Sequence, residues 1–244
     1  MANARERAWG ADRVRHTEGA QLSLAARRTW GGPRQGAGRK PALRRSAPHA
    51  RRPSHWASCP VHVTLRRAKG LPSLRSQRVF HEVREAVRLT RRADFRIVHF
   101  TVQSDHVHMI VEAASNESLS AGMKGFAVRA ARRVNTRALR RRGSLWAERH
   151  HRRDLRTPRA VRHALVYVMS NHLKHHQWDA GLVDPCSSGP WFDGWMQAIE
   201  RPPEASPVLA AQTWLLERGW HGHWRFIHLG ELPRALRDCM RAAA

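Results

Sequence analysis

The chain has 244 residues and carries 44 Lys and Arg against 19 Asp and Glu, a formal net charge of +25. Such an excess of positive charge repels itself in a compact protein and is most simply explained by a polyanionic partner, with nucleic acid ahead of an anionic membrane surface. A secretion-type apolar core, a bilayer-spanning run and a disulfide or CxxC cysteine pattern are all missing from the sequence. These features argue against secreted and membrane classes and favour a cytoplasmic, nucleoid-associated DNA-binding protein.

Residues 1–54 are rich in Arg, Gly, Ala and Pro and lack a periodic pattern of large apolar residues. They predict a basic, disordered arm ahead of the folded part. Within the arm, Gly38-Arg39-Lys40-Pro41 resembles an AT-hook, whose extended core lies in the minor groove of A·T-rich DNA. The alternative is an arm that binds phosphates without sequence preference. Both interpretations make Arg39 and Lys40 DNA contacts.

The next segments predict strand, helix, strand and strand. Runs rich in β-branched residues predict strands over residues 61–65 and 95–102. Between them, helical spacing of apolar residues predicts a helix over 76–92 that begins at Ser76. A short turn at Ser104-Asp105 then leads into a third strand, which carries His106 and His108 and extends to Glu112, so these last two strands should form a central hairpin.

A second helix is predicted over 119–141, with Ser118 or Asn116 as its cap and Gly143 after its end. An irregular fourth strand follows, from 144–147 toward 155. Thr157-Pro158 then begins a helix that should reach about residue 176. Arginines crowd the second helix, and two more follow the first strand. The predicted DNA contacts in the folded part are Arg66, Arg67, Arg132, Arg133, Arg140 and Arg141.

This order predicts an α+β fold, a ferredoxin-like split βαβ antiparallel sheet with an added C-terminal helix, flanked by the basic arm. Two helices cover one face of such a sheet. Because side chains alternate along a strand, His106 and His108 both lie on the other face. The helix over 157–176 is expected to cover that face and to bring Tyr167, the only tyrosine, and Asn171 over the histidines.

Two histidines on a strand are weak evidence for a metal site when taken alone, because a strand edge can hold such a pair for no chemical reason. Three features together are more specific: the His106-Val107-His108 strand, Leu145-Trp146 after a basic helix, and the YVMSN segment that runs from Tyr167 to Asn171. Over roughly residues 61–176, the chain resembles the HUH single-tyrosine transposases of bacterial insertion sequences and their REP-associated relatives.

In that family a histidine pair holds a divalent metal and a helical tyrosine cuts single-stranded DNA. The resemblance therefore implies that His106, His108 and Asn171 bind Mg²⁺ or Mn²⁺ and that Tyr167 is the nucleophile. The family often has Asn-Pro after the tyrosine-containing turn, whereas His172 follows Asn171 here. This departure leaves the catalytic pair intact and bears on where the helix ends.

The predicted function is a metal-dependent single-stranded DNA endonuclease and strand transferase that acts through a 5′-phosphotyrosine on hairpin or repeat DNA, as a monomer or a homodimer. Two alternatives stay open: a non-enzymatic or domesticated nucleic-acid-binding module, and a metal hydrolase that uses water. His172, His175 and His176 are compatible with a solvated cluster or a separate zinc site.

The expected domains are the arm at 1–54, the transposase domain at 55–178 and an extension at 179–244. One more helix is predicted in the extension, over 207–218. The extension also has a spaced histidine pair and several tryptophans, for which the sequence predicts either base stacking or docking onto the domain.

Overall fold

The computed structural model describes residues 53–174, 183–222 and 226–233. The basic arm with Arg39 and Lys40, the boundary at 178, and His175 and His176 lie outside the described residues. None of the described helices is long and apolar enough to cross a membrane. The strands and helices are β1 (Val61–Arg66), α1 (Gln77–Arg88), β2 (Phe95–Val102), β3 (His106–Ala113), α2 (Asn116–Arg133), β4 (His151–Asp154) and α3 (Pro158–Lys174).

The four strands form one antiparallel sheet in the order β2-β3-β1-β4. With α1 between β1 and β2 and α2 between β3 and β4, this is the split βαβ topology, so the predicted α+β fold is confirmed. The β2–β3 hairpin turns at Ser104 and Asp105. In the resulting register His108 lies opposite Thr64 on β1 and Thr101 on β2.

Helices cover both faces of the sheet, and every residue of β3 is therefore buried. Val107, Met109 and Val111 belong to the apolar core beneath α1 and α2. Ile110 belongs to a second core on the opposite face, together with Leu165 and other residues of α3. The predicted division of β3 between two faces is confirmed.

The second helix differs from its prediction at both ends. Its cap is Ser115, whose hydroxyl accepts a hydrogen bond from the Ser118 N–H at 3.1 Å. After Arg133 the chain makes a single π-helical turn to Ala138, and the helix does not reach residue 141. Arg140 has a φ of 47°, which takes the backbone out of helical conformation.

The predicted strand at 144–147 is reduced to a single bridge between Trp146 and Arg67. The Trp146 indole N–H donates to the carbonyl of Ala127 on α2 at 2.9 Å, which draws this segment toward the helix and away from the sheet. The strand forms in the later part of the predicted segment, as β4 (His151–Asp154). The predicted helix over 207–218 is also wrong, since a π-helical turn at Leu215–Gly219 is the helical part described there.

The described residues after 182 are fastened to the sheet by buried polar contacts. Asp184 forms a bidentate ion pair with Arg75, with N–O distances of 2.8 and 2.9 Å. The buried carboxylate of Glu112, on β3, accepts the backbone N–H groups of Gln212 and Thr213, each at 2.9 Å. These contacts attach the C-terminal segment to the same body that carries the histidine strand.

Candidate active site

The histidine strand and α3 meet on the face of the sheet opposite α1 and α2. The Tyr167 hydroxyl lies 3.3 Å from Nε2 of His108, and the two rings meet edge to face with centroids 4.9 Å apart. The His106 ring lies beside that of His108, with a centroid distance of 4.5 Å. Tyr167 thus lies against His108, and the ring of His106 lies on another side of His108.

His106 is oriented by the residue before it in the chain. Its Nδ1 lies 2.5 Å from Oδ1 of Asp105, whose Oδ2 lies 3.3 Å from Nε of Arg66. Burial alone would raise the pKa of Asp105, but the hydrogen bond with His106 and the charges of His106, Arg66 and Arg67 outweigh it, so the pKa lies below its usual value. Asp105 is therefore ionised at neutral pH. Because Nδ1 faces this carboxylate, Nε2 is the nitrogen of His106 that would bind a metal.

His108 is oriented from β1. Its Nδ1 lies 3.0 Å from the Thr64 hydroxyl and 3.2 Å from Nε2 of His62. Burial, and then the charge of Arg153, lowers the pKa of His62 to about 4, so its imidazole is neutral at neutral pH. With Nδ1 turned to β1, Nε2 is again the nitrogen directed at the site.

His62 and Thr64 are site residues that the sequence analysis missed. A signal for them exists in the alternation of the first strand, because both residues are out of phase with its apolar residues, Val61 and Val63. In a split βαβ sheet, β1 also lies directly beside β3. The polar side of β1 therefore had to face the same space as the histidines.

Asn171 follows Tyr167 by one helical turn, on the same face of α3. Its side chain is fully buried, and neither its amide oxygen nor its amide nitrogen has a hydrogen-bond partner among the described residues. Leaving a buried polar group unsatisfied costs about 1–3 kcal/mol. A bound ligand that takes the amide oxygen would remove the part of this cost that belongs to the oxygen.

The donor set fits a divalent metal. Two imidazole nitrogens and an amide oxygen suit Mn²⁺, Zn²⁺ or Ni²⁺, and less readily Mg²⁺. Within the described ranges, His, Cys, Asp and Glu side chains alone form no group of three that could hold a metal ion. The proposed site consequently depends on the Asn171 amide as its third protein ligand.

Tyr167 is half-buried, and this burial raises the pKa of its phenol above the usual value. The hydroxyl is therefore protonated at neutral pH. It can act as a nucleophile only if the site helps it to lose its proton.

The predicted DNA-contacting arginines fall into two groups. Arg66 is exposed at the end of β1, next to the histidines, and the Nε of Arg67 donates to the carbonyl of Ser104 in the adjacent turn at 3.1 Å. Arg132 and Arg140 are exposed on or after α2, on the opposite side of the sheet. The structure brings only Arg66 and Arg67 of these four to the site.

The other two predicted contacts have structural partners. The Arg133 side chain is 16% exposed and pairs with Glu82 of α1 at 2.8 Å. Arg141 donates to the Asn135 amide oxygen at 2.9 Å and to the carbonyl of Ser144 at 3.3 Å, which holds the loop after α2. Arg133 thus joins two helices and is poorly placed to reach DNA.

Residues 57–157 match the family model described as "Transposase IS200 like". Among solved structures, the chain is similar to one titled "Structure of the REP associates tyrosine transposase bound to a REP hairpin", with 19% identity and a TM-score of 0.45, over 58% of this chain and 82% of that chain. No curated protein matches the chain. Over residues 57–157 the family match confirms the resemblance inferred from the sequence and gives transposase as the class of enzyme that this segment resembles. It ends before α3, so Tyr167 and Asn171 lie outside it.

Proposed function

We propose that the protein, whose residues 57–157 match the model of IS200-like transposases, is a metal-dependent single-stranded DNA endonuclease and strand transferase that acts on hairpin or repeat DNA through a 5′-phosphotyrosine. The observation that carries the proposal is the distance of 3.3 Å between the Tyr167 hydroxyl and Nε2 of His108. It brings the nucleophile of such a reaction to the strand that would hold the metal.

In the proposed reaction the Tyr167 oxygen attacks the phosphorus of a phosphodiester in line with the leaving group. The bond between phosphorus and the 3′ oxygen breaks, and the phenol loses its proton as the leaving oxygen gains one. The products are a 5′-phosphotyrosine and a free 3′-hydroxyl. Because one phosphoester replaces another, the 3′-hydroxyl of a second strand can reverse the attack. Strand transfer by this route needs no nucleotide as fuel.

His106, His108 and Asn171 are the proposed ligands of a divalent ion, Mg²⁺ or Mn²⁺. When bound, such an ion polarises the scissile phosphate and stabilises the charge that develops on it. Nε2 of His108 has a single lone pair, so it cannot bind a metal and accept a hydrogen bond from Tyr167 at once. A metal ion on this nitrogen would therefore leave the Tyr167 hydroxyl free to meet DNA.

Asp105 and Thr64 act through the histidines. Each contacts a histidine Nδ1 and fixes which nitrogen is directed into the site. They are positioning residues, whereas Tyr167 is the residue that forms a bond with the substrate.

The test is covalent adduct formation. The full chain is incubated with Mn²⁺ and a labelled pool of single-stranded hairpin oligonucleotides with randomised flanks, and the products are separated under denaturing conditions. We expect labelled protein from the wild type, none in the presence of EDTA, and none from Tyr167→Phe, which removes only the hydroxyl. Labelled protein from Tyr167→Phe would refute Tyr167 as the nucleophile.

The same assay separates the alternatives. Cut DNA with two free ends and no labelled protein would indicate a hydrolase that uses water. DNA binding that needs neither metal nor His106 and His108, with no cutting, would indicate a non-enzymatic or domesticated module, and its affinity should fall steeply with salt.

A further inference from the structure

A cleft of about 390 Å³ lies beside Tyr167, outside the histidine site. Helix α3 packs against β2 and β3, and the cleft lies where β1 and β4 continue the sheet. Residues of α3, including Ala160 and Tyr167, line the cleft together with residues 231–233. The proposed reaction assigns nothing to this space.

Strand register makes the cleft continuous with the histidine site. On β1, His62 lies opposite Ile110 of β3 and opposite Arg153 of β4. Ile110 shares a face of β3 with His108, so all of these side chains lie on the same side of the sheet. His62 contacts His108 and also lines the cleft. A DNA strand held at Tyr167 can therefore extend into the cleft.

Charge in the cleft favours a phosphate. Two arginines line it, but Arg162 is neutralised by Glu231, with N–O distances of 2.6 and 3.0 Å. Arg153 is exposed and has no carboxylate partner among the residues that the structure describes. The cleft thus keeps an uncompensated cation beside the proposed nucleophile.

The rest of the lining favours a base. The floor and walls are largely apolar, and the cleft lies at the small end of the range of about 300–1,000 Å³ typical of ligand pockets, which suits a single nucleotide. Unpaired bases are held between aromatic and apolar side chains, and the rings of His62, His163 and Tyr167 also line the cleft. The apolar lining residues are Leu155, Ala160, Ala164, Val166, Leu232 and Pro233.

We propose that this cleft binds the unpaired nucleotide next to the scissile phosphate, with its base against Ala160 and the other apolar residues and a phosphate on Arg153. The proposal rests on the proposed function, because it takes Tyr167 as the point of cutting. Binding in the cleft can nevertheless be measured without cutting.

The first experiment measures that binding. The hairpin pool is made with 5-iodo-2′-deoxyuridine in its flanks and crosslinked by light to the full-length Tyr167→Phe protein, and the crosslinked peptides are mapped by mass spectrometry. We expect crosslinks to His62 or His163, which line the cleft. Ala160→Phe, which fills the cleft, should reduce their yield at least about fivefold. Ala121→Phe, on the exposed surface of α2, should not.

The second experiment measures the initial rate of adduct formation at subsaturating DNA. Arg153→Ala should lower this rate about tenfold, and Arg153→Lys should recover most of it, because the contact is electrostatic. Arg78→Ala makes the same change in net charge on α1, on the other face of the sheet, and should stay within about twofold of wild type. The unfolding temperatures of all variants are compared to confirm that each one folds. If Ala160→Phe does not fold, the rate measured with Arg153→Ala tests whether the cleft binds the nucleotide.

The experiments distinguish an error in the proposed nucleotide binding by the cleft from an error in the proposed function. If the wild type forms adducts but its crosslinks lie outside the cleft, the proposed nucleotide binding is wrong. The same holds if Ala160→Phe and Arg153→Ala leave the crosslinks unchanged. A wild-type protein that forms no adduct refutes the proposed function, and the crosslinks still decide whether the cleft binds DNA.

Discussion

Each histidine of the proposed metal pair is held through its Nδ1, one by a carboxylate and the other from the neighbouring strand. His106 contacts Asp105 at 2.5 Å, and His108 contacts Thr64 at 3.0 Å and His62 at 3.2 Å. A metal-binding histidine commonly gives its second nitrogen to such a partner, which fixes the tautomer and the ring orientation. The roles assigned to the pair therefore depend on residues that do not bind the metal themselves.

Asp105→Asn should weaken Mn²⁺ binding by about 10–100-fold, because it removes the charge that orients His106 and makes it a stronger ligand. The measurement is the Mn²⁺ concentration that gives half-maximal adduct formation, together with direct calorimetry of Mn²⁺ binding. Glu148→Gln is the matched control, since Glu148 also pairs with a histidine, His151 at 3.1 Å, in an exposed position. Equal Mn²⁺ affinity in the two variants would contradict the role of Asp105.

Asn171→Leu should stabilise the metal-free protein and abolish its stabilisation by Mn²⁺. The substitution removes a buried amide without partners among the described residues, and we expect a gain of about 1–2 kcal/mol in the free energy of unfolding. Urea unfolding in EDTA and in Mn²⁺ measures both effects. The control is Asn135→Leu, because the buried Asn135 amide donates to Gly143 and accepts from Arg141. That variant should lose stability in both buffers. An Asn171→Leu protein that is still stabilised by Mn²⁺ would remove Asn171 from the ligand set.

At the scale of elements, the position of α2 depends on one close approach to the sheet. A Cβ atom on Gly122 would lie 2.1 Å from Cγ of Phe95, a fully buried ring at the start of β2. Only glycine permits this distance, so α2 sits close against the sheet. α3 packs on the other face of the same strands, β2 and β3.

Gly122→Ala should therefore lower the free energy of unfolding by about 1–3 kcal/mol, the usual cost of overpacking a core. Gly125 lies on the same helix, and a Cβ there meets nothing within 4 Å. Gly125→Ala should raise stability by about 0.5–1 kcal/mol, because alanine favours the helix. Thermal and urea unfolding give the change in the free energy of unfolding for each variant. Equal changes would mean that the close approach of α2 to Phe95 does not require glycine at position 122.

At the scale of the whole molecule, the segment after α3 is held to the sheet by buried ionic contacts. Asp184 is fully buried and pairs with Arg75, whose side chain is 14% exposed, and its carboxylate also accepts from the Thr101 hydroxyl at 3.2 Å. Residues 231–233 close one side of the cleft beside Tyr167. The residues assigned to an extension by sequence thus complete the surface next to the proposed site.

Asp184→Ala should lower the free energy of unfolding by about 3–5 kcal/mol, because Arg75 is left charged and largely buried. The exposed pair of Arg88 and Glu85, at 2.9 Å, is the control. Glu85→Ala should cost less than about 1 kcal/mol. Urea unfolding measures both losses. In limited proteolysis of Asp184→Ala, we expect the earliest cuts to fall in the segment that begins at residue 183. A small loss with Asp184→Ala would show that this ion pair does not hold the segment.

The sequence by itself determined the order of the elements, the face of β3 that carries His106 and His108, and the presence of Tyr167 on a covering helix. Strand alternation and helix periodicity are local properties, and they limit which side chains can share a face. The exact match of β2 to its predicted bounds and the confirmed sheet topology follow from the same local signals.

Only the tertiary structure decided how far α2 extends, where β4 lies and which side chains surround the histidines. Trp146 donates to a carbonyl of α2 19 residues earlier, which turns a strand-like segment away from the sheet. His62 reaches His108 across 46 residues, and Glu112 accepts from Gln212 across 100. Such contacts depend on strand register and on the packing of distant segments, which no local pattern encodes.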